Sequence, residues 1–198
     1  MNDDITLIAD GTQRIVLRRY GSDFETEIDR ALYRPYRHQR PMSVRESIIP
    51  TRYAHWYFSA DEQPRCGDEI VTDDGAVWLI VELNRSESNA TWQCVTKIYD
   101  VVFGLDEFVD HLRTEYEKSP GGVLHRGFRI EKTGIAAKFA RLKVGSLQES
   151  LFVLIREKIN FERLDVFRRA DGTIVEIETI NHPLFPNDFA EILCTLKN

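Results

Sequence analysis

The feature that most constrains this chain is a tight-turn signal that occurs twice. Gly67 to Leu83 reads GDEIVTDDGAVWLIVEL, in which Asp73-Asp74-Gly75 separates two apolar runs. Glycine after Asp supplies the positive φ that a tight hairpin turn requires. A weaker copy is centred on Asp171-Gly172. Aligned on the two glycines, Asp68 falls on Asp165, Val77-Trp78 on Ile174-Val175, Ile80 on Ile177, Leu83 on Ile180 and Asn84 on Asn181, all at an offset of 97 residues. With a short insertion around Pro183 to Pro186, Cys94-Val95-Thr96 lies near Leu193-Cys194-Thr195. Either the chain contains an internal duplication or two common Asp-Gly hairpins coincide.

The flanking sequence favours strands. Asp10-Gly11 joins two short apolar runs, and in Arg14 to Arg19 Ile15 and Leu17 alternate with polar neighbours. Asp23 to Tyr33 fits either a short helix or an irregular strand. Tyr53 to Phe58, Glu69 to Thr72, Ala76 to Leu83 and Thr91 to Ile98 complete a first series of short strands, the pattern of a small barrel or sandwich. Leu105 to Lys118 changes period: Leu105, Phe108, Val109, Leu112 and Tyr116 form one stripe at helical spacing. Asp106 and Glu107 at its start and Lys118 at its end match the helix dipole, and Ser119-Pro120-Gly121-Gly122 stops it. A second series follows: Phe128 to Lys132, Ala136 to Val144, Leu151 to Arg156, Leu164 to Arg169, Thr173 to Ile180 and Ala190 to Leu196. Ile135 to Leu142 also suits a short helix.

The expected fold is therefore mainly β. It consists of two small barrel-like or sandwich-like modules, residues 1–103 and 123–198, with one connecting amphipathic helix and its stop at 104–122. A length of 198 residues and a hydrophobic fraction of 42% suit two folded modules.

Chemistry is sparse. GxSxG, GxxxxGK[ST] and GxGxxG are absent, and Gly121-Gly122 closes an apolar run instead of opening one. His38, His55, His111, His125 and His182 stand in separate segments without metal-ligand spacing. Asp73-Asp74 reads as turn chemistry. Cys66, Cys94 and Cys194 form no CxxC and suggest a reduced, intracellular chain. The acidic start, MNDDITLIADGT, lacks the apolar run of a signal peptide or membrane span, so the chain is expected to begin in the cytosol. The reading is of a protein that is not an enzyme, with no catalytic residue, metal or cofactor. Trp56, Trp78 and Trp92 are either core residues or a ligand platform.

Charge marks one region. The net charge is −6, yet Arg30 to Arg52 holds six arginines and one acid, +5, which leaves −11 for the remainder. Tyr33 to Pro41 packs three arginines and two tyrosines between prolines, as a long surface loop would. The partner-binding candidates are Arg30, Tyr33, Arg34, Tyr36, Arg37, Arg40 and Arg45. Such a set contacts phosphate and stacks on bases, docks on an acidic protein, or balances the acidic remainder of the chain.

The order of an N-terminal hairpin, a proline-rich loop, GDEIVTDDGAVWLIVEL and a closing TWQCVTKIY strand resembles the head-closure proteins of tailed bacteriophages, also called head-tail joining, connector or stopper proteins. The matching positions are Asp68, Ile70-Val71, Asp74-Gly75, Trp78 to Val81 and Gln93-Cys94-Val95, echoed at Leu164-Asp165-Val166, Asp171-Gly172 and Ile174 to Ile180. The likeness spans about 45 residues in each half, whereas the family usually has a single barrel. It implies a non-enzymatic structural protein that forms a homo-oligomeric ring between portal and tail-completion proteins, around a channel for DNA. Such a protein assembles in the host cytoplasm, ends in the virion and has no membrane contact. The alternative is a cytosolic β-barrel module that binds single-stranded nucleic acid or an acidic protein.

Overall fold

A computed structural model describes residues 12–36, 46–60, 63–86, 91–144 and 148–197. The described residues are all strand, turn or irregular, and fall into two compact units. One comprises residues 1–46, 50–100 and 185–188; the other comprises 47–49, 101–184 and 189–198.

The first unit is a closed barrel of β1 (Thr12–Arg19), β2 (Glu25–Pro35), β3 (Thr51–Phe58), β4 (Asp68–Thr72), β5 (Val77–Ser86) and β6 (Thr91–Tyr99). Its strand order is β1-β2-β3-β6-β5-β4. Strict alternation fills the interior: Ile15 and Leu17 of β1, Ala54, Trp56 and Phe58 of β3, and Trp78 and Ile80 of β5 point inward and are buried. Closure leaves no sheet edge within the barrel. Trp56, Trp78 and Trp92 all belong to this core, so the platform reading of the tryptophans gives way to packing.

The second unit is a closed barrel of β7 (Asp106–Lys118), β8 (Leu124–Val144), β9 (Gln148–Ile155), β10 (Val166–Arg168), β11 (Ile174–Asn181) and β12 (Ala190–Lys197). Its order, β7-β8-β9-β12-β11-β10, repeats that of the first barrel strand for strand. The likeness extends to single hydrogen bonds at an offset of 97 residues. Gly67 N–H donates to the Ile80 carbonyl and Leu164 N–H to that of Ile177, both at 2.9 Å; Gly75 N–H donates to Thr72 and Gly172 N–H to Arg169. Gly75 and Gly172 have φ of 81° and 83°. The register shifts after Ile80 against β6 and after Ile177 against β12, the same bulge in both barrels. In the last strand the offset becomes 98, because Ile80 pairs with Thr96 and Ile177 with Cys194. Cys194 therefore corresponds to Thr96, one position away from the sequence alignment.

The connecting helix does not form. Residues 106–118 are β7, the first strand of the second barrel, and 119–123 its turn into β8. The stripe read as helical is mostly outward-facing: Leu105, Phe108 and Tyr116 are exposed. The inward set is Val109 and His111, at period two, and each interior side chain finds partners on β8 and β10 that a lone helix would not supply. Two further segments left open between helix and strand, Asp23 to Tyr33 and Ile135 to Leu142, are strand, in β2 and β8. The N-terminal run Ile5 to Ala9 lies outside the described residues.

One dimension separates the two barrels. The β1–β2 hairpin has strands of 8 and 11 residues, whereas β7 and β8 have 13 and 21. The last barrel pairing of β10 is Val166 with Leu112, and that of β9 is Leu154 with Lys138. Beyond these points β7 and β8 pair only with each other, as a two-stranded arm.

Candidate functional site

Six residues of the arginine-tyrosine stretch, Arg30 to Pro35, are the end of β2 rather than a loop. Alternation divides them. Ala31 is buried, and Tyr33 packs into the barrel with ring centroids 5.1 Å from Trp56 and 5.6 Å from Trp78. Tyr33 is thus a core-packing residue. Arg30 and Arg34 are exposed on the outer face. Arg37, Arg40 and Arg45 lie outside the described residues, so of the seven candidates Arg34 and Tyr36 are the two that come together at one outer patch.

Register brings three further residues to them. Arg34 pairs with His55, and Tyr57 with Gln93, so β2, β3 and β6 present Arg34, Tyr36, His55, Tyr57 and Gln93 side by side. The Tyr36 and His55 rings lie 4.5 Å apart, His55 and Tyr57 5.8 Å apart, and the Arg34 guanidinium is 5.5 Å above Tyr57. Gln93 Nε2 lies 3.2 Å from His55 Nδ1. With the amide as donor, Nδ1 accepts and the imidazole carries its hydrogen on Nε2.

Burial lowers the His55 pKa; Glu82 opposes the shift and the Arg34 cation adds to it. Burial, with Tyr57 and Glu82 adding to it, holds the Tyr36 phenol protonated to higher pH than usual. At neutral pH His55 and Tyr36 are therefore uncharged rings, set beside the Tyr57 ring and the Arg34 guanidinium. This strip can stack on planar groups and attract an anion. His55, Tyr57 and Gln93 escaped the sequence reading, although the period-two pattern of β3 carried the signal: inward Ala54, Trp56 and Phe58 force 55 and 57 outward.

The first barrel's other polar cluster is an ion pair. Buried Asp68 takes Arg19 in a two-point contact, Nε to Oδ1 at 2.9 Å and Nη2 to Oδ2 at 3.0 Å, and accepts Arg65 N–H at 2.9 Å. Asp165 repeats this in part: it accepts Glu162 N–H at 2.9 Å and faces Arg113 in an ion pair, Nε to Oδ1 at 3.3 Å. The second barrel adds His111, whose Nε2 lies 2.8 Å from Asp165 Oδ2. Where β4 and β1 pair Ile70 with Leu17, β10 and β7 pair Phe167 with His111. The imidazole is enclosed by Phe161 and Phe167, with centroids 5.0 and 6.2 Å away. It is only 1% exposed, so this histidine packs in the barrel interior.

Cys94 and Cys194 are equally internal, and Cys66 is partly buried. Burial raises the Cys94 and Cys194 thiols far above the ordinary range and, to a smaller extent, that of Cys66. Among the described residues no group of three or more His, Cys, Asp or Glu side chains is arranged to hold a metal ion. None forms a helix long and apolar enough to cross a membrane.

No family model, curated protein or solved structure matches this chain. Two surfaces stand out: the ring strip on the first barrel and the two-stranded arm of the second.

Proposed function

We propose that the chain is a non-enzymatic structural protein that joins the head and tail of a tailed-phage particle through ring-forming protein contacts. The observation that carries this reading is architectural. The hairpin with the head-closure likeness, Gly67 to Leu83, lies in a closed six-stranded barrel, and its echo lies in a second barrel of the same strand order. Buried polar groups in both barrels form internal pairs such as Arg19–Asp68 and His111–Asp165, which suits a structural role. Portal and tail-completion proteins are the partners this role implies, with DNA passing through the ring.

The arginine-tyrosine segment is the docking element in this scheme. A triple variant with Arg34→Glu, Arg37→Glu and Arg40→Glu reverses the charge of this segment. Mixed with purified portal-bearing heads, wild-type chain is expected to bind and retain packaged DNA, and the triple variant to fold normally and fail to bind. Normal binding by the triple variant removes the segment from the scheme. Failure of wild-type chain to bind such heads removes the scheme itself.

One observation favours the alternative, a module for single-stranded nucleic acid: the Tyr36, His55 and Tyr57 rings beside Arg34 form a stacking surface on a barrel face. That reading requires salt-sensitive oligonucleotide binding that weakens in a Tyr36→Ala, Tyr57→Ala variant. No binding at low ionic strength rejects it.

A further inference from the structure

The arm of the second barrel is amphipathic. Register pairs Leu112 with Ile130, Thr114 with Phe128, Tyr116 with Arg126 and Lys118 with Leu124, so these side chains share one face. The opposite face carries charge: Arg129 binds Glu115 at 3.0 Å and Glu131 at 2.6 Å. The apolar face is covered in part. Leu112 is buried, and Arg126 reaches back to Glu176 and the Leu164 carbonyl, with its guanidinium 5.1 Å above the Phe128 ring. Along the same face Tyr116 is 56% exposed, Leu124 65%, Phe128 43% and Ile130, opposite Leu112, 52%. A two-stranded ribbon is marginal in water by itself, and four large apolar side chains on one face add to its need for a cover.

A second uncovered apolar patch lies at the base of the same ribbon. Val102 is 93% exposed, Leu105 90% and Phe108 68%. Phe108 and Tyr116 are eight residues apart on one strand, about 26 Å at strand rise, so an arm cannot fold onto its own base. We infer that the arm of one copy of this chain docks on the base patch of a second copy, in a head-to-tail contact.

Area supports this occupant. Counting about 150–250 Å² for each fully exposed large side chain, the two patches together offer roughly 900 Å² of apolar surface, close to the ~1,000 Å² that a specific interface requires. Each patch alone supplies about half of that. Self-association covers both at once, whereas a foreign partner on the arm leaves the base bare. A contact that uses different surfaces on its two sides propagates, and closes into a ring when the rotation allows. The inference rests on the assembly role proposed above and supplies its contact.

The test uses the full chain in sedimentation velocity over a range of concentrations. An arm variant carries Tyr116→Glu and Phe128→Glu, and a base variant carries Leu105→Glu and Phe108→Glu; far-UV circular dichroism checks that both fold. Wild type is expected to form dimers and larger species as concentration rises, and each variant alone to stay monomeric. Mixed in equal amounts, the variants are expected to give a 1:1 dimer that grows no further, since one intact arm meets one intact base. Paired serine substitutions at the same positions replace any glutamate variant that misfolds. A monomeric wild type overturns the inference, as do variants that associate like wild type or a mixture that stays monomeric. Self-association without any binding to heads removes the head-closure role and keeps the contact. Heads that close normally with the arm variant remove the contact and keep the role.

Discussion

Replacing Asp165 by Ala probes how the second barrel is held together, because its carboxylate accepts two hydrogen bonds and faces a guanidinium in a site 1% exposed. The donors are His111 Nε2 at 2.8 Å and Glu162 N–H at 2.9 Å, and Arg113 Nε forms an ion pair at 3.3 Å. Arg113 keeps Glu162 and the Asn160 carbonyl, so it is not stranded. His111 has no such reserve: its Nδ1 has no hydrogen-bond partner among the described residues, and the substitution strips Nε2 as well. An unsatisfied buried donor costs about 1–3 kcal/mol, and the substitution leaves two of them, His111 Nε2–H and Glu162 N–H. Asp165→Ala is therefore expected to destabilise the second barrel by about 2–5 kcal/mol.

His111→Leu places in β7 the residue that β1 has at Leu17, and removes the donor that Asp165→Ala would orphan. In that background Asp165→Ala is expected to cost about 1.5–3 kcal/mol less, a coupling read from a double-mutant cycle. Urea unfolding followed by far-UV circular dichroism measures each corner. All three tryptophans, Trp56, Trp78 and Trp92, are in the first barrel, so fluorescence reports that barrel separately and is expected to hold its midpoint. A cost below about 1 kcal/mol, or an equal cost in both backgrounds, refutes the reasoning.

Two expectations follow from backbone and burial. Gly67 has φ of 93°, and a Cβ there would meet the Pro186 carbonyl oxygen at 2.5 Å, so Gly67→Ala is expected to cost about 2–3 kcal/mol in urea unfolding. Its counterpart Leu164 has φ of 73° with a partly exposed side chain, and Leu164→Gly is expected to be neutral or stabilising by up to about 1 kcal/mol; destabilisation beyond that contradicts the strain argument. The lowered His55 pKa means that the unfolded chain takes up its proton first on acidification. The first barrel should therefore lose stability as pH falls from about 6.5 towards the folded pKa, and His55→Gln should flatten that slope in fluorescence-detected unfolding; an unchanged slope counts against it.

The sequence carried the fold through local chemistry. Asp-Gly turns, alternation in β1 and β3, and the 97-residue offset are short-range signals, and they mark hairpins that survive in the barrels. It misled where long-range pairing decides the conformation. Leu105 to Tyr116 spaces its apolar residues like a helix, yet β8 and β10 take it as a strand and leave most of those residues outside. The site was half legible for the same reason. Arg34 and Tyr36 stood out by composition, while His55 and Gln93 meet them only through the register of β2, β3 and β6, and Tyr33 turned inward by strand alternation. Asp165 and His111, 54 residues apart, become one cluster only once β7 pairs with β10.

The central claim, that this chain joins head and tail, is tested most directly by electron microscopy of particles made after its gene is deleted from the genome that encodes it. The account expects heads and tails that accumulate separately, with joining restored when wild-type chain is supplied. Normal, infectious particles in the absence of the chain, or a genome that makes no particles, would contradict it.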